Sequence, residues 1–190
     1  AAPAAPAPVL ALALLSPWAD LSHSGDSHAA LAGLDPTLSV PHFLHPAAVA
    51  YSGDHPLDCP DVSPLFAFQA PRQAGAKAAE APAAAPAQAA KFPPTVISTG
   101  TRDLLLSDSV RLAAALRVAA GAADGAAVDL RVADGLWHVY EWHSELPEAA
   151  VSVDGLAAFL GAHLPRPLEA EDRQEEEQGT PEAACAARAR

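Results

Sequence analysis

Pro93-Pro94-Thr95-Val96-Ile97-Ser98-Thr99-Gly100-Thr101-Arg102-Asp103 reads as a short β-branched strand running into a turn that carries an acid. A second stretch has the same design: Val128-Asp129-Leu130-Arg131-Val132-Ala133-Asp134-Gly135-Leu136-Trp137-His138, a strand with an imidazole just past its end. Asp103 and His138 lie 35 positions apart (138 − 103). Between them a helix is expected, capped by Ser107 or Asp108 and stopped by Gly121. Val110, Ala113, Ala114 and Arg117 fall at helical spacing in it, with Leu112 and Leu116 beside them. A last helix is expected from about Pro147, a favoured first-turn residue, with Ala149, Val153, Leu156, Ala157, Leu160 and Leu164 on one face. Strand, helix, strand, helix implies an α/β fold with a parallel sheet and right-handed crossovers. In such sheets functional groups collect at the carboxyl ends of strands, where Asp103 and His138 both fall.

Upstream, Val9 to Leu15 is a continuous apolar run of the kind that suits a strand buried on both faces. It ends at Ser16-Pro17, because proline cannot continue a ladder. Residues 22–60 are rich in His, Pro, Asp and Ser, with a turn expected at Asp35-Pro36-Thr37-Leu38 and a short helix from about Pro46 to Tyr51. Residues 1–8 read as an Ala/Pro linker, 69–91 as a disordered low-complexity insert, and 165–190 as a disordered acidic tail. This leaves 9–164 as the folded part. Three strands make a poor sheet, and an unpaired apolar edge is an aggregation template. The pattern therefore reads as the back half of a larger sheet.

The 190 residues suffice for one domain with a core, but much of the 51% hydrophobic content is alanine and only 5% of the chain is aromatic. The absence of methionine, with alanine first, is what a fragment, a processed product or a cloning boundary would give. A net charge of −12, with Glu169, Glu171, Asp172, Glu175, Glu176 and Glu177 crowded in one stretch, gives no support for nucleic-acid binding. Cys59 and Cys185 are far apart and form no CxxC motif, which is compatible with a reducing cytosol. The seven residues of Val9 to Leu15 fall short of the roughly 20 needed to span a bilayer, and no basic residue precedes them as in a signal peptide.

Several segments resemble, in order, the C-terminal half of an α/β-hydrolase of the hormone-sensitive-lipase-like group, the α/β-hydrolase fold-3 esterases. Leu15-Ser16-Pro17-Trp18-Ala19-Asp20-Leu21 is similar to that group's Ser-Pro-Trp-x-Asp-Leu strand end, followed by Asp35-Pro36, Ser63-Pro64-Leu65-Phe66 and Pro93-Pro94-Thr95. Gly100 to Ser109 resembles the acid loop, with Asp103 in the acid's place, and Asp134 to Tyr140 resembles the histidine loop around His138. The resemblance implies a partial α/β-hydrolase fold, a Ser-Asp-His mechanism on small-molecule esters, no cofactor and no metal. It also implies that residues 36–60 contribute to a cap over the active site. In this group the nucleophile elbow, Gly-Asp-Ser-Ala-Gly-Gly, and a glycine-rich oxyanion loop precede the Ser-Pro-Trp strand, and this chain has neither. The alternative is a non-catalytic remnant retained for protein interaction, with the acidic tail and the Ala/Pro loop as contact segments.

Gly25-Asp26-Ser27-His28-Ala29 imitates the elbow, but polar residues precede it where a strand is required, so Ser27 is not expected to be the nucleophile. His23, His28, His42, His45 and His55 suggest a metal, yet Pro41 and Pro46 should break the helix that would align His42 with His45, and nothing fixes a ligand geometry. They are read as loop residues. Trp137, Tyr140 and Trp142 could line an acyl pocket or simply pack beside the histidine loop, and His143 and His163 have no evident partner. Oligomeric state is not encoded in any visible pattern.

Overall fold

The computed structural model describes residues 8–68, 92–124 and 128–164. The insert, the acidic tail and all but Pro8 of the Ala/Pro linker lie outside the described residues. Within them, three parallel strands lie in chain order: β1 (Leu12–Leu15), β2 (Thr95–Gly100) and β3 (Val128–Ala133). Helices α1 (Ser27–Ala30) and α2 (His45–Ser52) fall between β1 and β2, α3 (Leu106–Asp124) crosses from β2 to β3, and α4 (Pro147–His163) follows β3. The expected α/β order with parallel strands is what forms.

β1 starts three residues later than the apolar run, and it is half-buried rather than buried on both faces. Its partner explains the start. Leu12 sits opposite Thr95, and the residues before Thr95 are Pro93 and Pro94, which have no N–H to give. The Leu12 N–H still reaches the Pro94 carbonyl, at 2.9 Å, and there the pairing stops. Buriedness is greatest in β2, where all six residues are inaccessible.

The main core joins Ile97 of β2 to Leu112, Ala113 and Leu116 of α3, closed by Ala19 and Leu65. Thus α3 buries its Leu112/Ala113/Leu116 stripe, while Val110, Ala114 and Arg117 face outward, a rotation from the expected face. The helix also runs through Gly121 to Asp124. In α4, Ala149, Ser152 and Leu156 are buried and Val153 is exposed, because Ser152 has a polar partner inside; Leu164, just past the helix, is exposed as well.

Pro41 and Pro46 do not break the chain either. A π-helical turn, Val40–Leu44, leads directly into α2, with the Leu44 N–H bonded to Ser39 O and the His45 N–H to Val40 O. The wider turn bridges the place where Pro46 offers no donor. The turn at Asp35 forms as expected: its carboxylate accepts the N–H groups of Thr37 and Leu38. No helix of the described residues is long and apolar enough to cross a membrane.

Candidate active site

β2 and β3 are adjacent and in register to their last residues, Gly100 opposite Ala133. The two loops that leave their carboxyl ends are therefore side by side. They are stitched together by the backbone bonds Thr101 N–H to Ala133 O (2.9 Å) and Arg102 N–H to Leu136 O (2.8 Å). The Thr101 hydroxyl adds a bond from the Gly135 N–H at 2.8 Å and one to Asp134 at 3.2 Å. A Cβ on Gly100 would lie 2.1 Å from the Leu136 carbonyl oxygen, so only glycine permits this approach.

The approach brings the expected acid and imidazole together. His138 Nδ1 stands 3.4 Å from Asp103 Oδ1, with the carboxylate fully buried and the imidazole side chain 23% exposed. That separation is longer than a well-formed hydrogen bond, and the contact is not aligned as one. Asp103 is otherwise held on both oxygens: Leu105 N–H donates to Oδ1 and the Thr99 hydroxyl to Oδ2, each at 2.9 Å. Burial alone would raise its pKa. Polar contacts from His138, Ser16 and the Leu105 N–H, with the charge of His138, outweigh burial and hold the carboxyl below its usual range.

Behind the imidazole, Val139 adopts a left-handed conformation (φ 49°, ψ 43°), which a β-branched residue seldom tolerates. Its N–H donates to the Ser16 hydroxyl at 3.0 Å. Ser16, at the end of β1, is itself left-handed (φ 46°) and buried. The two strained residues thus hold each other, and the bond ties the histidine loop to the end of β1. Such strain is retained where surrounding structure fixes it, commonly at functional sites.

Below this loop is a buried polar cluster that sequence reasoning missed. Ser98 of β2 donates to Glu141, as does Ser152 of α4 at 3.1 Å, and the Tyr140 hydroxyl lies 3.3 Å from Ser98. The only hint of it in the sequence was a serine placed inside an otherwise β-branched strand. Tyr140 is therefore a core residue, whereas Trp142 is 83% exposed and Trp137 is partly buried against Leu136, Tyr140 and Ala149. His143 and His163 do have partners, Glu145 Oε1 at 3.2 Å and the Phe159 carbonyl at 2.8 Å.

Ser27 is 5% exposed and works as a clamp. Its hydroxyl donates to Leu104 O (2.6 Å) and accepts the Ser107 N–H (3.0 Å), while its own N–H donates to the Ser107 hydroxyl (2.9 Å). The elbow-like residues therefore serve the start of α3. Asp108, expected to cap that helix, instead accepts the Ala19 and Asp20 N–H groups and pairs with His28 Nε2 at 3.0 Å. His23 stacks on Trp18 and lies beside His28 and His45, remote in role from His55, which lies by Cys59. A groove of about 300 Å³ between α1 and α3 is lined by Ser27, Leu31, Val110 and Arg111 among others, and it includes neither Asp103 nor His138. Among the described residues no hydroxyl is hydrogen-bonded to His138.

The fold is similar to that of known proteins. The alpha/beta hydrolase fold family matches residues 2–142. Among solved structures, esterase E25 is 34% identical with a TM-score of 0.65, over 82% of this chain and 40% of that one. An esterase from the bacterial hormone-sensitive lipase (HSL) family is 25% identical with a TM-score of 0.64, over 82% of this chain and 44% of its own. A hormone-sensitive lipase from a metagenome library gives 25% and 0.64 over 83% and 45%. The chain thus spans 40–45% of the length of these solved relatives. No curated protein sequence matches it.

Proposed function

Because the chain belongs to the alpha/beta hydrolase fold family, we propose that it is the acid- and base-bearing part of a serine carboxylic-ester hydrolase, with Asp103 and His138 in those roles. The observation that carries the reading is the buried Asp103 carboxylate set 3.4 Å from His138 Nδ1 at the adjoining ends of two parallel strands. In this mechanism Nδ1 faces the acid and Nε2 is left to take the proton of a serine hydroxyl as that oxygen attacks the ester carbonyl. Asp103 keeps the imidazole in the required tautomer and stabilises its cation. His138 then returns the proton to the leaving alcohol, and a water repeats the cycle on the acyl-enzyme. The present contact is looser than a catalytic hydrogen bond, as is common before substrate binds.

The attacking serine is not Ser27, whose hydroxyl is occupied by Leu104 and Ser107. In the group that the sequence resembles, it comes from a segment ahead of the Ser-Pro-Trp stretch. The substrate class, small-molecule esters, is supported by neighbours that are esterases. The test is a fluorophosphonate probe applied to source extract, with the protein captured through its C-terminal tail and weighed intact. A labelled species heavier than the 190-residue chain is expected. Labelling of Ser27 in the chain itself would move the nucleophile there, and a protein that is never labelled would leave a remnant that acts by interaction.

A further inference from the structure

We propose that the turn after α2 is a binding site for a divalent transition metal of the zinc or cobalt class, with His55, Cys59 and Asp61 as ligands. One donor atom of each lies within 4.8 Å of the other two. Cys59 Sγ and His55 Nδ1 are 3.9 Å apart. Two ligands of a tetrahedral zinc ion, with bonds of about 2.3 Å to sulfur and about 2.0–2.1 Å to nitrogen, stand roughly 3.6 Å apart. A contraction of a few tenths of an ångström brings this pair to ligand spacing, and the Asp61 carboxylate, within 4.8 Å of both, closes by at most about 1.5 Å. The sequence reading grouped His55 with His23 and His28, but the fold takes His55 to Cys59 instead.

The donors match that class of ion. A thiolate is poorly suited to calcium or magnesium, which take oxygen ligands, while nitrogen, sulfur and a carboxylate together suit zinc and its neighbours. Thiolate and carboxylate bring two negative charges to a doubly charged ion. Three protein ligands leave a fourth position for water. His55 and Asp61 are exposed and Cys59 is half-buried, so the ion has direct access. Asp54 and Asp58, both exposed on the same turn, favour its approach.

The turn is also stiff, which lowers the cost of assembling the ligands. His55 and Cys59 each precede a proline, which restricts both ligand backbones. Cys59 N–H bonds to Pro56 O at 2.9 Å, and Ser63 N–H bonds to Cys59 O at 2.8 Å. The buried Ser63 hydroxyl then fastens the turn to the core, donating to Leu57 O at 2.6 Å and accepting the Leu21 N–H at 2.8 Å. Binding forms a metal–sulfur bond and releases the thiol proton to solvent. The site shares no residue with Asp103 and His138, so it stands whether or not the hydrolase reading does.

The 190-residue chain carrying Cys185→Ser, which leaves Cys59 as the sole thiol, would be titrated anaerobically with cobalt(II). A saturable one-to-one near-ultraviolet band from thiolate-to-cobalt charge transfer is expected, together with visible bands of a four-coordinate ion, both displaced by zinc(II). Cys59→Ser should abolish the band, and His55→Ala or Asp61→Asn should each weaken binding by about tenfold or more. Lowering the pH from 7.5 to 6 should also weaken it, since the thiol proton must leave. Zinc(II) should slow alkylation of Cys59 by iodoacetamide in the otherwise unaltered chain. No charge-transfer band, or an affinity unchanged in both His55→Ala and Asp61→Asn, would overturn the proposal.

Discussion

Gly100 decides whether the acid and the histidine meet. An added Cβ would collide with backbone, the Leu136 carbonyl, and backbone cannot rotate aside as a side chain can. Gly100→Ala is expected to cost about 2–4 kcal/mol, the range of overpacking and local strain combined. A urea midpoint unchanged in this variant would mean that the two loops are not held at the spacing described. Asp103 makes a second, separable demand. Its folded pKa is depressed, so its stabilising share is present above the ordinary value near 3.8 and is lost as pH falls through the lower folded value. Asp103→Asn should remove that part of the acid limb, and at neutral pH it should cost about 1–3 kcal/mol, because an amide cannot accept from both Leu105 N–H and Thr99 Oγ1. His23 works the opposite side of the pH scale. Burial, with the neighbouring His28 and His45, lowers its pKa below 6.5, outweighing the pull of Asp108 and Asp20. A depressed histidine stabilises the fold fully above 6.5, and that share is lost as pH falls to the folded value. Urea midpoints should therefore drop below pH 6.5 and well above the Asp103 limb. His23→Asn, which suits the left-handed φ of 55°, should flatten this drop, and a drop of the same size in the variant would assign it elsewhere.

At the scale of elements, α1 is too short to be stable by itself and is defined by what it clamps. Removing the Ser27 hydroxyl leaves the Ser107 N–H and the Leu104 carbonyl without partners inside the protein, which costs about 1–3 kcal/mol. Ser27→Ala should lower the denaturation midpoint accordingly and leave fluorophosphonate labelling of the intact hydrolase in place. Loss of labelling with unchanged stability would make Ser27 the nucleophile after all. The case also shows what the sequence could and could not reveal. The order of β2, α3, β3 and α4 was legible because apolar spacing is local, and so was the juxtaposition of Asp103 with His138, which follows from parallel neighbours. Element limits were less so. The start of β1 is set by Pro93 and Pro94, about eighty positions away, and the buried face of α4 by Ser98 and Glu141, which draw Ser152 inward. The roles of Ser16, Ser27 and Asp108 were hidden for the same reason. Each bonds a residue 80 to 123 positions distant, and no local pattern records such a contact.

For the whole molecule, the edge of β1 sets the balance between solubility and association. Leu12 and Ser16 give their N–H groups to β2, so the alternating pattern turns those of Ala13 and Leu15 to the other edge, where no strand is paired among the described residues. An apolar edge of this kind recruits other strands. Opposing it is a net charge of −12, whose repulsion acts over about 10 Å at 0.1 M salt and only about 3 Å at 1 M. Expressed as these 190 residues, the protein should therefore be mostly monomeric at low ionic strength and associate increasingly as salt rises, the reverse of association driven by ion pairs. Sedimentation velocity across a salt series would read this directly. Ala13→Pro removes an outward donor while sparing the Leu12 and Ser16 bonds to β2, and proline is tolerated on edge strands. It should suppress the salt-induced species without lowering the helical signal by circular dichroism. If the chain stays monomeric at high salt, and amide exchange at Ala13 and Leu15 is slow, another part of the chain covers that edge. If both amides exchange fast while association grows with salt, the edge is open to a further strand.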